Sequence, residues 1–307
     1  ATVEIRLREP SGILAMALAN PNNGAAIYPK EVIEATGDGP LKQFIGTGPF
    51  KFVEHRPDRY IRVVRFDDYA ARPEPVNGYA GRRTAYVDEI LFIPVPDVAV
   101  RLAGVETGEY HFAQQIKQDQ YERVKTMPGV EPSIAKPSGW STAVFNKKQG
   151  LFTDVRLRQA FLAALDMESI MAGAFGHKDF YRLDPGVTFR EQAWHSTVGG
   201  ELSNQKNGDK ARRLLKEAGY QGQPVRWITT REYEWMYKSA LVAKQQLEEV
   251  GFKIDLQVVD WATLVQRRNK PELYDAFSTG FTTVLEPSLA TSVQCDWPGW
   301  WCTPEKD

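Results

Sequence analysis

Helical and strand-like patterns alternate along the chain from residue 97 to residue 278, and this alternation constrains the fold more than any other feature. Residues 253–259 alternate strictly between polar and apolar side chains, which predicts a strand. A long helical pattern at 235–250, closed by Gly251, precedes it, and another at 261–268, capped by Asp260, follows it. Strands that alternate with helices form open sheets on which the helices pack. The sequence therefore predicts an α/β fold.

The same alternation covers most of the remaining chain. It predicts helices at 97–107, 119–126, 155–165, 166–172 and 210–218, and strands at 110–113, 142–145, 225–229 and 274–278. Asp154 and Asp166 stand where N-caps are expected, and Gly108 and Gly219 stand where helices end.

Residues 1–95 have a different character, because strands and turns dominate there. Residues 49–54 and 60–66 predict a hairpin, and residues 87–94 predict a further strand. Residues 1–7 alternate with period two, so we expect the chain to open inside a strand and to be a fragment of a longer protein. The change from strand-rich to alternating sequence at 108–114 is the expected domain boundary.

The charge of the chain argues against a nucleic-acid partner, and its hydropathy argues against a membrane-spanning helix. Lys plus Arg number 38 and Asp plus Glu 39, so the net charge is −1, whereas a nucleic-acid-binding chain carries a basic excess or stripe. No stretch of the sequence approaches the ~18 consecutive apolar residues that a membrane-spanning helix needs. We expect no nucleic-acid partner.

The common enzyme motifs are absent from the sequence. There is no Gly-x-Ser-x-Gly elbow, Walker loop or Gly-x-Gly-x-x-Gly segment. The four histidines, His55, His111, His177 and His195, fall in separate elements without the spacing of metal ligands. We expect a protein that is not an enzyme and uses no cofactor or metal, although carboxylate pairs leave a periplasmic hydrolase as the alternative.

Aromatic residues concentrate in predicted turns. Trp140 lies in a Pro-Ser-Gly-Trp-Ser segment, Tyr233 and Trp235 follow a strand end, and Phe281 follows Gly280 after another strand. Ligands of open α/β folds collect at the carboxyl ends of strands, in crevices lined by rings and a few polar anchors. These four aromatic residues therefore indicate a binding crevice, and the alternative is that they seal gaps between loops and core.

Two cysteines, Cys295 and Cys302, stand close together near the end of the sequence. Pro298-Gly299 between them favours a turn, and no further Cys or His lies beside them to complete a metal site. They are a candidate disulfide if the compartment is oxidising, and two reduced thiols otherwise.

Several segments together resemble one family, the family 5 extracellular solute-binding proteins of ABC importers, which includes dipeptide, oligopeptide and nickel receptors. The match runs through nearly the whole chain in order and spacing. It is carried by residues 28–32 (YPKEV), 46–52 (GTGPFKF), 65–69 (RFDDY), 145–146 (FN), 152–160 (FTDVRLRQA), 164–170 (ALDMESI), 210–219 (KARRLLKEAG) and 246–251 (QLEEVG). The 65–69 segment lacks the Asn-Pro and the final Trp that the family usually has.

The resemblance implies a two-lobed, periplasmic-binding-protein-like fold of type II, class C, that closes over its solute by hinge motion. Residues 1–112 would be part of lobe I and residues 113–307 most of lobe II. The implied function is capture of a peptide or peptide-like, carboxylate-bearing solute for a membrane permease. The implied protein is a monomer, periplasmic or, in a Gram-positive bacterium, anchored outside the cell. A nickel or haem carrier of the same family is the further alternative.

The resemblance also suggests site residues. Dipeptide-binding relatives have an Arg-x-Tyr whose Arg pairs with the ligand carboxylate, and Arg231-Glu232-Tyr233 is similar to it. A surface ion pair such as Arg231 with Glu234 is the alternative. Relatives also place an amine-binding Asp after a Gly-Trp. The matching segment here, residues 280–287, has Phe281 for the ring but Thr282, Thr283 or Val284 where the Asp would stand. A free α-amino group would lack its counter-charge there.

Overall fold

The computed structural model describes residues 4–20, 26–78, 80–282, 286–290 and 298–300. The chain forms two compact units, residues 1–101 and residues 102–307. Within the described residues no helix is long and apolar enough to cross a membrane.

The first unit holds a three-stranded antiparallel sheet in the order β1-β2-β3. Its elements are α1 (Leu14–Ala19), α2 (Lys30–Thr36), β1 (Phe50–Arg56), β2 (Tyr60–Arg65) and β3 (Glu89–Phe92). The predicted hairpin and third strand are therefore confirmed. Arg62 of β2 donates through Nε and Nη2 to Oε2 of Glu89 in β3, which joins the two strands. Phe44 packs against Phe52 of β1 with ring centroids 4.8 Å apart.

The strand predicted for residues 1–7 does not appear in its described part, because residues 4–7 form no ladder. Alternating side chains make a strand only when a neighbouring strand takes up the backbone hydrogen bonds, and Ile5 and Leu7 remain largely exposed. Residues 1–3 lie outside the described residues.

Helix α3 (Val98–Thr107) begins where Asp97 caps it, since the Asp97 carboxylate accepts from the backbone nitrogen of Ala99 at 2.7 Å. The strand predicted at 110–113 is wrong. The backbone nitrogen of Tyr110 donates instead to the carbonyl of Gly104, and the Tyr110 ring lies where a side chain at Gly104 would be. This contact turns the chain back onto the helix. The helix predicted at 119–126 is shorter, a 3-10 turn followed by α4 (Tyr121–Val124).

The second unit is built on a four-stranded sheet in the order β4-β7-β5-β6. Its strands are β4 (Gly139–Phe145), β5 (Pro224–Thr229), β6 (Lys253–Val258) and β7 (Ala276–Thr282). β5 pairs in parallel with β6 and with β7, and β4 pairs antiparallel with β7. The predicted α/β fold class is confirmed, and β7 begins and ends later than the sequence pattern indicates.

Five α-helices follow α4 among the described residues of this unit: α5 (Val155–Ala164), α6 (Met167–Phe175), α7 (Gly208–Glu217), α8 (Glu234–Glu249) and α9 (Trp261–Arg268). Three of them, α5, α6 and α9, begin at caps that the sequence identifies. Asp154, Asp166 and Asp260 each accept a hydrogen bond from a backbone nitrogen of the first turn, which satisfies donors that the helix leaves unpaired.

Apolar side chains cover both faces of the sheet. Trp227 of β5 packs with Phe161 of α5 and Leu247 of α8 on one face, whereas Ile228, the next residue of β5, packs with Leu264 of α9 on the other. Burying a large apolar side chain contributes about 1.5–3 kcal/mol, so these two layers account for the compactness of the unit. They also hold the loops at the strand ends in place.

Candidate functional site

The strand order brings four chain segments to one edge of the second unit's sheet. β5, β6 and β7 run in parallel and end there, and antiparallel β4 begins there. We call this the carboxyl edge, and it comprises residues 229–233, 258–261, 280–282 and 139–140. Ligands of open α/β sheets bind at such an edge. The predicted site residues Arg231, Tyr233, Trp140, Phe281 and Thr282 all lie in it.

Trp140 and Phe281 are cross-strand partners in the β4–β7 ladder. The two strands approach closely at this point, because a side chain at Gly139 would come 2.3 Å from the carbonyl oxygen of Phe281. The Trp140 ring stacks on Phe189, at 4.5 Å between centroids and 17° between planes. Trp140 and Phe189, far apart in sequence, therefore form one stacked pair at this edge.

A second group of rings surrounds Tyr233. Its ring meets Trp261 edge-on at 5.0 Å and lies 6.4 Å from Trp235. Trp235 in turn stacks with Phe175 of α6 at 6.2 Å. The backbone nitrogen of Trp261 donates to the Glu232 carboxylate at 2.9 Å, which ties the segments after β5 and β6 together.

Arg231 is a basic residue of this edge whose charge is not neutralised by a carboxylate among the described residues. Its Nη2 donates to the Tyr237 hydroxyl at 2.9 Å, and its guanidinium carbon lies 4.5 Å from the Tyr237 ring centroid. The ion pair with Glu234 that the sequence left open does not form, because Glu234 pairs with Lys238 at 3.3 Å. Among the described residues no carboxylate lies within ion-pair distance of Arg231, and its side chain is exposed. A carboxylate of a solute could therefore pair with it.

Acidic groups near this edge are already engaged. Asp260 caps α9, and hydrogen bonds from the hydroxyl and backbone nitrogen of Thr263 lower the pKa of Asp260. Glu286 accepts from the backbone nitrogen of Ser288 at 3.0 Å. Thr282 ends β7 opposite Gly139 and is exposed, whereas Thr283 lies outside the described residues.

The cavities in the described part of the second unit include two near the ends of α6 and β4. The first, of about 280 Å³, lies between the end of α6, the start of α8 and residues 117–122, and includes Phe175, His177 and Lys238 in its wall. The second, of about 340 Å³, follows the outer edge of β4 from Thr142 to Phe145 and reaches Phe281 and Trp300. Ligand pockets usually measure about 300–1,000 Å³, so each cavity has the size of part of a binding site.

The histidines do not come together. Where described, His, Cys, Asp and Glu form no group of three or more that could hold a metal ion. His177 accepts from the backbone nitrogen of Asp179, and His195 contacts the Asp184 carboxylate at 2.8 Å. The cysteine pair, Cys295 and Cys302, lies outside the described residues.

Four neighbours of the site were not among the residues that the sequence indicated: Phe175, Phe189, Tyr237 and Trp261. Trp261 directly follows the Asp260 cap after β6, so the rule about strand ends could have found it. Phe189 had no such signal, because it lies in a long irregular segment whose packing partner is set only by the tertiary structure.

The family model for bacterial extracellular solute-binding proteins, family 5 Middle, matches residues 1–294. A probable peptide ABC transporter periplasmic-binding protein, y4tO of Sinorhizobium fredii, is 27% identical, over 97% of this chain and 59% of its own length. The oligopeptide-binding protein AppA of Bacillus subtilis is 25% identical, over 87% of this chain and 51% of its own length. The chain thus spans between half and three fifths of the length of these relatives.

Solved structures agree in fold. The periplasmic binding protein DppA of Helicobacter pylori, in complex with the peptide STSA, superposes with a TM-score of 0.73 at 18% identity, covering 93% of this chain and 53% of that one. AgaA of A. tumefacien R10, in complex with agropinic acid, superposes with a TM-score of 0.70 at 23% identity, covering 92% and 55%.

Proposed function

This chain belongs to the bacterial extracellular solute-binding proteins of family 5, and we propose that it forms part of a receptor for a peptide or peptide-like, carboxylate-bearing solute. In this proposal the receptor delivers its solute to the membrane permease of an ABC importer, acts as a monomer in the periplasm or at the cell surface, and catalyses no reaction. The family is one of transport proteins, which favours the receptor over the hydrolase, and relatives named for peptide and oligopeptide binding favour a peptide-like solute over a metal.

The observation that carries the proposal is the state of Arg231. Tyr237 contacts its guanidinium at the carboxyl edge, to which Tyr233 and Trp261 also belong, and no described carboxylate neutralises it. A planar guanidinium binds a carboxylate with two parallel hydrogen bonds, and neighbouring rings cover the apolar part of a ligand. Relatives named for peptide, oligopeptide and glutathione binding are consistent with such a ligand.

The amino end of the solute is a separate part of the proposal. Segment 280–287 contains one acidic residue, Glu286, and its carboxylate caps the turn at Ser288. A buried α-ammonium group there would have no free counter-charge, which costs several kcal/mol. We therefore favour a solute whose amine is modified, and the structural relative with agropinic acid shows that this fold also accepts other acids.

The role of Arg231 is tested by titration calorimetry on the full-length receptor. Each peptide of a panel is compared with its C-terminally amidated form, in the wild type and in Arg231→Ala. We expect the wild type to prefer the free carboxylate and the variant to lose that preference, with a loss of about 2–5 kcal/mol for the free acid.

Two further variants sharpen this test. Tyr237→Phe keeps the ring but removes the hydrogen bond that orients Arg231, so we expect a smaller loss of about 1 kcal/mol. Arg213→Ala removes an exposed arginine of α7 that pairs with Glu217 and should leave affinity unchanged. Equal affinity of the wild type for acid and amide, or a retained preference in Arg231→Ala, would contradict the proposal.

A further inference from the structure

Phe189 covers one face of the Trp140 ring. Their centroids are 4.5 Å apart and their planes are inclined by 17°, so the contact is a stack rather than an edge contact. Phe189 is only 5% exposed, although it lies outside every regular helix and strand. A buried ring in an irregular segment has to be held there by the segment itself.

Residues 182–195, which we call the supporting segment, are fastened at several points. Arg182 forms a bidentate pair with Glu191 at 2.5 and 2.7 Å, and Asp184 contacts His195 at 2.8 Å. The backbone nitrogen of Phe189 donates to the side-chain oxygen of Gln192 at 2.9 Å. These contacts close the segment into a loop with Phe189 between its two ends.

The backbone of the supporting segment is also closely packed around Gly186. A side chain at Gly186 would come 2.9 Å from the carbonyl oxygens of both Ser196 and Thr188. Arg182 additionally lies over the Phe189 ring at 5.7 Å from its centroid. Close packing and ion pairs together therefore fix the plane of Phe189, and through the stack the plane of Trp140.

The remaining surface of Trp140 has a defined chemistry. Its indole Nε1 is buried and has no hydrogen-bond partner among the described residues. With its nitrogen buried and one face covered, the ring can offer a solute carbon surface but no hydrogen-bond donor. Recognition at this point is by stacking or apolar contact.

We propose that Phe189 is a positioning residue, which holds Trp140 as a rigid apolar platform for a planar or apolar group of the solute. The supporting segment thereby determines selectivity at the carboxyl edge without touching the solute. This inference rests on the proposed function, because it assumes that Trp140 faces the bound solute.

The first test measures selectivity in the full-length receptor. Affinities for the N-acetylated tripeptides Ala-Phe-Ala and Ala-Ala-Ala are compared in the wild type and in Phe189→Leu, which keeps an apolar side chain but removes the stack. We expect affinity for the ring-bearing peptide to fall about 2- to 12-fold, the scale of one aromatic pair, and affinity for tri-alanine to change less than 2-fold.

A matched control separates positioning from stability. Phe252 is 4% exposed, precedes β6 at the opposite end of the strands and packs on Phe161. Phe252→Leu should lower the melting temperature to a similar extent while leaving the ratio of the two affinities unchanged. An unchanged ratio in Phe189→Leu, or the same change in both variants, would overturn the inference.

The second test needs no ligand. The receptor is labelled with 5-fluorotryptophan, and the fluorine resonance of Trp140 is identified by its loss in Trp140→Phe. In Phe189→Leu we expect that resonance to shift and broaden, because the ring gains freedom, and in Phe252→Leu to stay in place. A sharp, unshifted line in Phe189→Leu would refute the positioning role, whereas failure of Arg231→Ala to weaken acids would count against the proposed function alone.

Discussion

Gly280 of β7 lies directly beneath the indole of Trp235, so that a Cβ at this position would come 2.8 Å from the ring carbon Cη2. The same Cβ would lie 3.2 Å from the carbonyl oxygen of Trp140. The absence of a side chain thus lets α8 approach the end of β7, and it brings Trp235, Phe281 and Trp140 to one edge.

The Gly280→Ala variant should be destabilised by roughly 1–3 kcal/mol, the usual cost of overpacking, because both the ring and the strand backbone have to move. Urea denaturation measures this. Gly48→Ala is the control, since nothing lies within 4 Å of its Cβ and its φ is ordinary, and it should change the free energy of unfolding by about 0.5 kcal/mol or less. Equal stability of the two variants would show that the Trp235 ring can move away from residue 280 at little cost in free energy.

Asp275 makes the most completely buried ion pair of the sheet region described. Its side chain is 4% exposed and accepts from the backbone nitrogen of Arg226 at 2.9 Å and from its Nε at 3.0 Å. Asp275→Ala leaves these donors unpaired, so we expect a loss of roughly 3 kcal/mol, toward the low end for a buried pair since Arg226 is partly exposed. Asp209→Ala, at an exposed pair with Arg212, should cost under about 1 kcal/mol. If Asp275→Ala loses no more stability than Asp209→Ala, the Asp275–Arg226 pair does not stabilise the sheet as expected.

The supporting segment should weaken in acid. Burial of Asp184 acts to raise its pKa, but hydrogen bonds from His195 and the Gly186 nitrogen and the charges of His195 and Arg182 outweigh it, so the pKa is lowered. A lowered pKa contributes stability that is present above the unfolded value, near 3.9, and is lost as pH falls through the folded value. The pKa of nearby Glu191 is lowered to about 2, chiefly by its hydrogen bonds with Arg182, so the Glu191 carboxylate should remain ionised as the pH falls further.

The measurement compares the free energies of unfolding of the wild type and Asp184→Asn at pH 6 and at successively lower pH. We expect the wild type to be more stable at pH 6 and its advantage to shrink below pH 4. An advantage that is constant with pH would show that the Asp184 carboxylate contributes no charge interaction.

Cys295 and Cys302 remain a predicted disulfide. Thiol titration of the exported full-length receptor in denaturant, without reductant, should find both cysteines unreactive, and reduction should release two thiols. Replacing both by Ala should lower the melting temperature, because the bridge restricts the unfolded chain. Two reactive thiols before reduction would contradict the prediction.

Local chemistry made the helices of the second unit predictable. Asp154, Asp166 and Asp260 bind backbone nitrogens within their own first turns, and Gly251 follows α8, so their effect depends on residues at most a few positions away. The strands at 224–229 and 253–258 were predictable because their apolar residues match packed sheet faces. The residues at 110–113 show where such patterns fail, since Tyr110 packs back on Gly104 and pairs with no strand.

The sequence by itself determined the α/β class, the family signature and the strand end that Arg231 and Tyr233 follow, whereas it predicted Trp140 and Phe281 outside the strands β4 and β7 in which they lie. Only the tertiary structure decided that β7 lies between β4 and β5, which pairs Trp140 with Phe281, and that Phe189 stacks on Trp140. Caps and periodicity act between near neighbours in the chain. Strand order and ring stacking arise from hydrogen bonds and burial between distant segments, and these are settled only when the whole unit packs.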